Sequence, residues 1–196
     1  MRFARVSILA ALAVVVSCGD STSPDLTISG SASFSFTGGG GGTFSATGGI
    51  STADINSSTA PYAKNFAAGF TNNTDNSTNV VANVPTTAGL SNLLVVTYKG
   101  QTAGTGTINS TCNSTSTISC NDVFFEIGQN AGGSSYSYIC FTTSGTVTIT
   151  SISSTTITGS FSGSGTCISS GGVSTAFTVT NGTFSVPLLP VTPKIA

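Results

Sequence analysis

Side chains able to do chemistry are few in this chain of 196 residues: five cysteines, six acids, five bases and no histidine, against 65 serines and threonines. Without an imidazole, neither a Ser-His-Asp nor a Cys-His arrangement can be assembled. The serines stand in neither a G-x-S-x-G elbow nor an S-x-x-K frame. Asp122 and Glu126 in "CNDVFFEIG" are the one acidic pair that strand alternation puts on a common face. Four positions along a regular strand span about 13 Å, more than the roughly 6.5–9.5 Å between the carboxyls of an inverting glycosidase. A hydrolase would need a bulge drawing the two together; otherwise they are solvent-facing charges opposite a buried Val123, Phe125 and Ile127. "TNNTDNSTN", residues 71–79, gathers oxygens of the kind calcium takes. Only Asp75 is ionised there and no D-x-D-x-D-G frame is present, which favours an ordinary Asn-rich turn.

With no Trp in the chain, the aromatic residues that would stack on a sugar reduce to tyrosines. Tyr136 and Tyr138 share one strand face with Cys140, so they form either a two-ring platform or core positions beside a disulfide. Tyr98, at a strand end, has the same two readings. The spacing of the cysteines contains no close pair of the zinc-binding kind, so neither a metal nor a cofactor is expected. The run Gly38 to Gly42 lacks the Lys-Ser/Thr that would complete a phosphate-binding loop.

The cysteines divide by position. Arg2 and Arg5 precede an apolar run, Val6 to Val16, and this order of charge and hydrocarbon is that of an export signal. Val15-Val16-Ser17-Cys18 then resembles the lipobox of bacterial lipoproteins, which implies cleavage before Cys18 and lipidation of its thiol. Three acyl chains exceed the two signals that stable anchoring needs. Residues 1–17 are thus expected to be a signal peptide and 18–25 a lipidated Cys with its tether; the seven residues from Gly19 to Asp25 span at most roughly 25 Å. Cys112, Cys120, Cys140 and Cys167 remain, an even number in an exported chain, which argues for two disulfides. Three connectivities are open, and nearness in sequence favours Cys112 with Cys120 and Cys140 with Cys167.

Removal of the leader leaves Lys64, Lys99 and Lys194 against Asp20, Asp25, Asp54, Asp75, Asp122 and Glu126, a net charge of −3. No basic stripe exists to neutralise phosphates, so nucleic acid is not an expected partner. The mixture of Thr, Val, Phe and Ile with turn-forming Gly, Asn and Ser reads as all-β. Leu26, Ile28, Ala32, Phe34 and Phe36 are all even-numbered, as are Phe44, Ala46 and Ile50 beyond the glycines. If those glycines form a five-residue tip, Phe36 faces Phe44 and the two apolar faces coincide. Asn181-Gly182 is the sequence of a type I′ turn, which would place Val179 opposite Phe184. In "GTVTITSISSTTITGSF" a three-residue loop pairs Val147 with Phe161. Further strands are expected at 79–84, 90–99, 104–110, 117–128 and 134–143. The recurrence of Tyr62, Phe66 and Phe70 after Pro61 admits a short helix. The resulting architecture is an antiparallel β-sandwich of about eleven strands, immunoglobulin-like or jelly-roll-like, over residues 26–189, with an irregular tail at 190–196.

The segment "GTVTITSISSTTITGSFSGSG", the following "VTNGTFSVPL" and the earlier "GTGTI" resemble a group of small uncharacterised bacterial lipoproteins. The resemblance implies a lipobox, a β-sandwich and an envelope location, and carries no activity; the chain departs from the group in its glycine run and its four later cysteines. The expected protein is therefore held at the cell envelope by a membrane anchor, at the outer membrane where the host has one. Its expected role is structural or binding, without catalysis, toward an envelope protein or a glycan. The alternative is a carbohydrate-recognition module using Tyr136 and Tyr138.

Overall fold

The computed structural model describes residues 28–51, 54, 60–86, 89–109, 120–130 and 135–189. They form ten strands: β1 (Ile28–Thr37), β2 (Gly42–Ile50), β3 (Phe66–Asn72), β4 (Ser77–Pro85), β5 (Leu90–Lys99), β6 (Gly104–Asn109), β7 (Asp122–Asn130), β8 (Tyr138–Ile152), β9 (Thr156–Ser169) and β10 (Ser174–Pro187). The all-β antiparallel reading holds. All ten belong to one sheet of order β2-β1-β10-β9-β8-β7-β5-β4-β3, with β6 also on β8. The 15 residues of β8 carry two strands along one edge, β7 beside Tyr138–Phe141 and β6 beside Ser144–Ile149.

The sheet curls until its ends nearly meet, so the two walls facing each other across the core are halves of one sheet. Near the seam the Thr47 N–H donates to Asn65 Oδ1 at 2.8 Å, and Leu188 bridges in parallel to Gly69 of β3. Period-two alternation turns one face of each strand inward. Phe34, Phe44, Phe125, Phe161, Phe177 and Phe184 fill the interior with Val80, Leu94, Val96 and Ile149. Phe125, on β7, crosses the space between walls: its ring meets Phe34 at 4.9 Å, Phe36 at 5.0 Å and Phe44 at 5.4 Å between centroids, all edge-on. Edge-to-face contact is the geometry that the ring quadrupoles favour.

The outer faces of the two walls differ. Across β2-β1-β10-β9-β8-β6, hydroxyl residues lie in register, as in the row Ser45–Ser33–Thr183–Ser160–Thr148–Thr105. Cross-strand hydroxyl pairs such as Thr105 with Thr148 (3.0 Å) and Ser151 with Thr158 (2.7 Å) account for much of the unusual composition. On β3-β4-β5-β7 the outer face is apolar and covered. Phe66, Ala68, Val81, Leu93 and Val95 form a second cluster with Ile50 and Leu189. Residues 77–83 of β4 are in consequence buried on both faces.

Several sequence expectations are corrected. Asn181-Gly182 is not a hairpin turn, because β10 runs through it with a bulge. Val179 pairs with Gly163 and Gly182 with Phe161, so β10 has one extra residue there. Asn181 takes the left-handed φ of 55° alone, whereas a type I′ turn needs it at both central residues. The glycine tip is tighter than expected: the Gly41 N–H donates to the Gly38 carbonyl at 2.9 Å with all five glycines of the run at positive φ, and Phe34 rather than Phe36 faces Phe44. A two-residue slip leaves every side chain on its expected face. Val147 does pair with Phe161, by way of an Ile152–Ile157 pair at the tip and a bulge between Ile149 and Ser151. In place of a helix reaching Phe70 there is one 3-10 turn, Ala60–Ala63, followed by β3. Phe66 and Phe70 lie four apart, which is also an even strand spacing on one face. The count is ten strands rather than eleven: Ser144 and Asn181-Gly182, expected between strands, lie inside β8 and β10, which removes two, and β3 adds one where a helix was expected.

Candidate functional site

Cys18 and Cys112 lie outside the described residues. Cys120 is disulfide-bonded. Cys140 and Cys167 are bonded to each other across β8 and β9, where they are directly opposite, and both are fully buried on the core side. This is the pairing that nearness in sequence favours. A peptide map of the unreduced protein is expected to contain one fragment linking Cys140 to Cys167, and alkylation before reduction should label neither. Tyr138 packs half-buried against the main core at the start of β8. Tyr136 precedes that strand and is half-buried, so the two rings do not project from one regular strand. Tyr98 is buried, with Gly100 and Gly104 against its ring.

The Asn-rich segment is the β3–β4 turn. Most of its oxygens are engaged within the protein: Ser77 Oγ donates to Asp75 Oδ1 at 2.6 Å, the Thr74 N–H donates to Asn72 Oδ1, and Gln101 Nε2 donates to Asn73 Oδ1, while Asp75 Oδ2 is buried without a partner. Among the described residues no three His, Cys, Asp or Glu side chains gather where they could hold a metal ion. Nor is any described helix long and apolar enough to cross a membrane.

Asp122 and Glu126 part company. Asp122 is half-buried at the start of β7, opposite Thr97, with Thr142 Oγ1 donating to it at 3.4 Å. Glu126 is not solvent-facing as expected but 9% exposed, because its side of the sheet is the covered outer face carrying the second apolar cluster. It sits opposite Leu93 of β5 and Ile139 of β8. A bulge then follows, since Ser91 pairs with Gln129 while Leu93 pairs with Glu126, leaving Ile127 and Gly128 opposite Asn92 alone. Gly128 takes φ 65° there and its N–H donates to Asn92 Oδ1 at 3.0 Å. The extra residue reverses the alternation, so Glu126 and Gln129 emerge on the same face, beside Ser91.

Buried polar side chains thus collect at one place. Gln129 is 2% exposed and Ser91 fully buried. Gln129 hydrogen-bonds the Glu126 carboxyl, but Glu126 Oε2, Gln129 Oε1 and Ser91 Oγ have no partner. The chain before β3 is fastened alongside, where Asn83 Nδ2 donates to the Lys64 carbonyl at 2.8 Å and to the Tyr62 carbonyl at 3.3 Å. Burial pushes the Glu126 carboxyl up to about 7, against the hydrogen bond from Gln129. Burial, and then the Glu126 charge, raise the Tyr62 phenol. Of the two described lysines, Lys64 pairs with Asp54 at 3.1 Å and Lys99 ends β5 six residues beyond Leu93. The alternation in "DVFFEIG" conceals this cluster, because a bulge and a covered outer face are both needed to form it. "EIGQN" held one signal: a glycine inside a strand, which often marks a bulge.

No family model matches the chain, and no curated protein or solved structure matches it significantly.

Proposed function

We propose that the chain is a lipid-anchored protein of the cell envelope, similar to the small bacterial lipoproteins named above, whose β-domain has a structural or binding role without catalysis. The observation that carries this reading is Cys18, placed after Arg2, Arg5 and an apolar run and preceded by Val15-Val16-Ser17. Lipid on that thiol holds the domain at a membrane surface through the tether of residues 19–25. The buried Cys140–Cys167 bond supports the same reading, since such bonds persist in oxidising, extracytoplasmic compartments. The absence of histidine from the sequence removes the commonest acid-base catalyst.

The test is the intact mass of the protein purified from membranes of a bacterial host. Its amino terminus is expected at Cys18, carrying a thioether-linked lipid and an amide-linked acyl chain, and Cys18→Ala should abolish both lipidation and processing before residue 18. An unmodified terminus on the wild-type chain overturns the anchor.

A further inference from the structure

The orphaned oxygens beside Glu126 ask for a ligand. Two of the three, the carboxylate oxygen and the amide carbonyl oxygen, only accept, and Ser91 adds a hydroxyl whose lone pairs are free. A buried acceptor without a donor is destabilising, more so when charged, so three on one patch of sheet are a strong departure from ordinary packing. Pairing through the ladder brings them together: Ser91 is directly opposite Gln129, and Glu126 is the next residue of β7 on that face. Neither described lysine pairs with the carboxylate. The complement to such a patch is small, positive and oxygen-seeking.

We propose that Glu126 Oε2, Gln129 Oε1 and Ser91 Oγ are ligands of a hard metal cation of the calcium class, bound on the outer face of β5 and β7 beside Tyr62. Calcium takes six to eight oxygens from carboxylates, amide and backbone carbonyls and water, in flexible geometry. A site with a single carboxylate lies at the weak end of that range, about 10⁻⁴–10⁻³ M, which suits a protein outside the cytoplasm. Only one of the three ligands is charged, which is why no acidic cluster marks the place. The inference stands apart from the lipid anchor, whose test is a mass and not a metal.

The test is thermal unfolding of the full-length chain in detergent at pH 8, after treatment with chelator, on titration with calcium chloride. Wild type is expected to gain about 3–5 °C by about 10 mM calcium, saturably, with magnesium and sodium at equal ionic strength giving much less. Glu126→Gln is expected to lose the calcium response while keeping the wild-type circular dichroism spectrum. Ser91→Ala, which removes one neutral oxygen and no charge, should raise the half-effect concentration on the order of tenfold. Absence of a calcium shift in wild type overturns the site. An equal shift with sodium, or one retained in both variants, overturns it as well.

Discussion

Phe125→Ala is expected to destabilise the domain by about 3–5 kcal/mol, the range for truncating a large aromatic in a rigid core. The ring is fully buried and touches Phe34 and Phe36 of β1 and Phe44 of β2 edge-on, so its loss removes the main aromatic link between the two walls of the sheet. Collapse into the cavity is limited, because Phe125 sits between Leu94 and Cys140 in the ladders and Cys140 is bonded onward to Cys167. In urea the midpoint should fall with little change in slope, since the same surface is exposed on unfolding. Phe124→Ala, one residue earlier and half-buried on the outer face, is the internal control, at about 1–2 kcal/mol. Equal losses from the two variants would contradict an interior built around Phe125.

The comparison of these neighbours shows where sequence pattern is informative. Alternation identifies which side of a strand is apolar, and in β1, β2 and β7 it places Phe34, Phe44, Val123 and Phe125 correctly in the interior. It does not say how strands are joined. In β10, Phe177 and Val179 are odd-numbered and Phe184 and Val186 even, and that change of parity is produced equally by a two-residue hairpin and by a one-residue bulge. Asn181-Gly182 suits both. The choice depends on β1 and β9, which flank β10 on both sides of the bulge and keep it one strand.

Register is similarly degenerate. The glycine run accommodates a five-residue tip or the tighter one observed, and either places Phe44 inside, because the two differ by two residues. The covering of the outer face by Ile50, Leu189 and the Tyr62 turn is the least legible feature. It depends on contacts remote in sequence, and it alone turns Glu126 from a surface charge into a buried one. The lone Cys18, by contrast, is read from local order only, and the fold neither helps nor hinders that reading.

Burial of Glu126 makes stability depend on pH, and Glu126→Gln should remove that dependence. The carboxyl is raised from its ordinary 4.5 to about 7 by desolvation. Between those two values the folded chain binds more protons at this group than the unfolded chain does, so stability falls as pH rises through the window and levels off above it. The shift corresponds to a difference of about 3 kcal/mol between the ends of the window. In chelator at pH 8, Glu126→Gln is therefore expected to be the more stable protein by about 2–3 kcal/mol, since the amide keeps the shape and sheds the charge. At pH 5 the gap should close, because the protonated acid donates a hydrogen bond to an acceptor such as Gln129 Oε1 and carries no charge. Urea unfolding at half-unit steps from pH 5 to 8 reads both curves, and parallel curves would show that Glu126 is solvated after all. The same experiment with about 10 mM calcium should narrow the gap at pH 8 by about 1–2 kcal/mol, because the cation neutralises the carboxylate and has no charged partner in the amide.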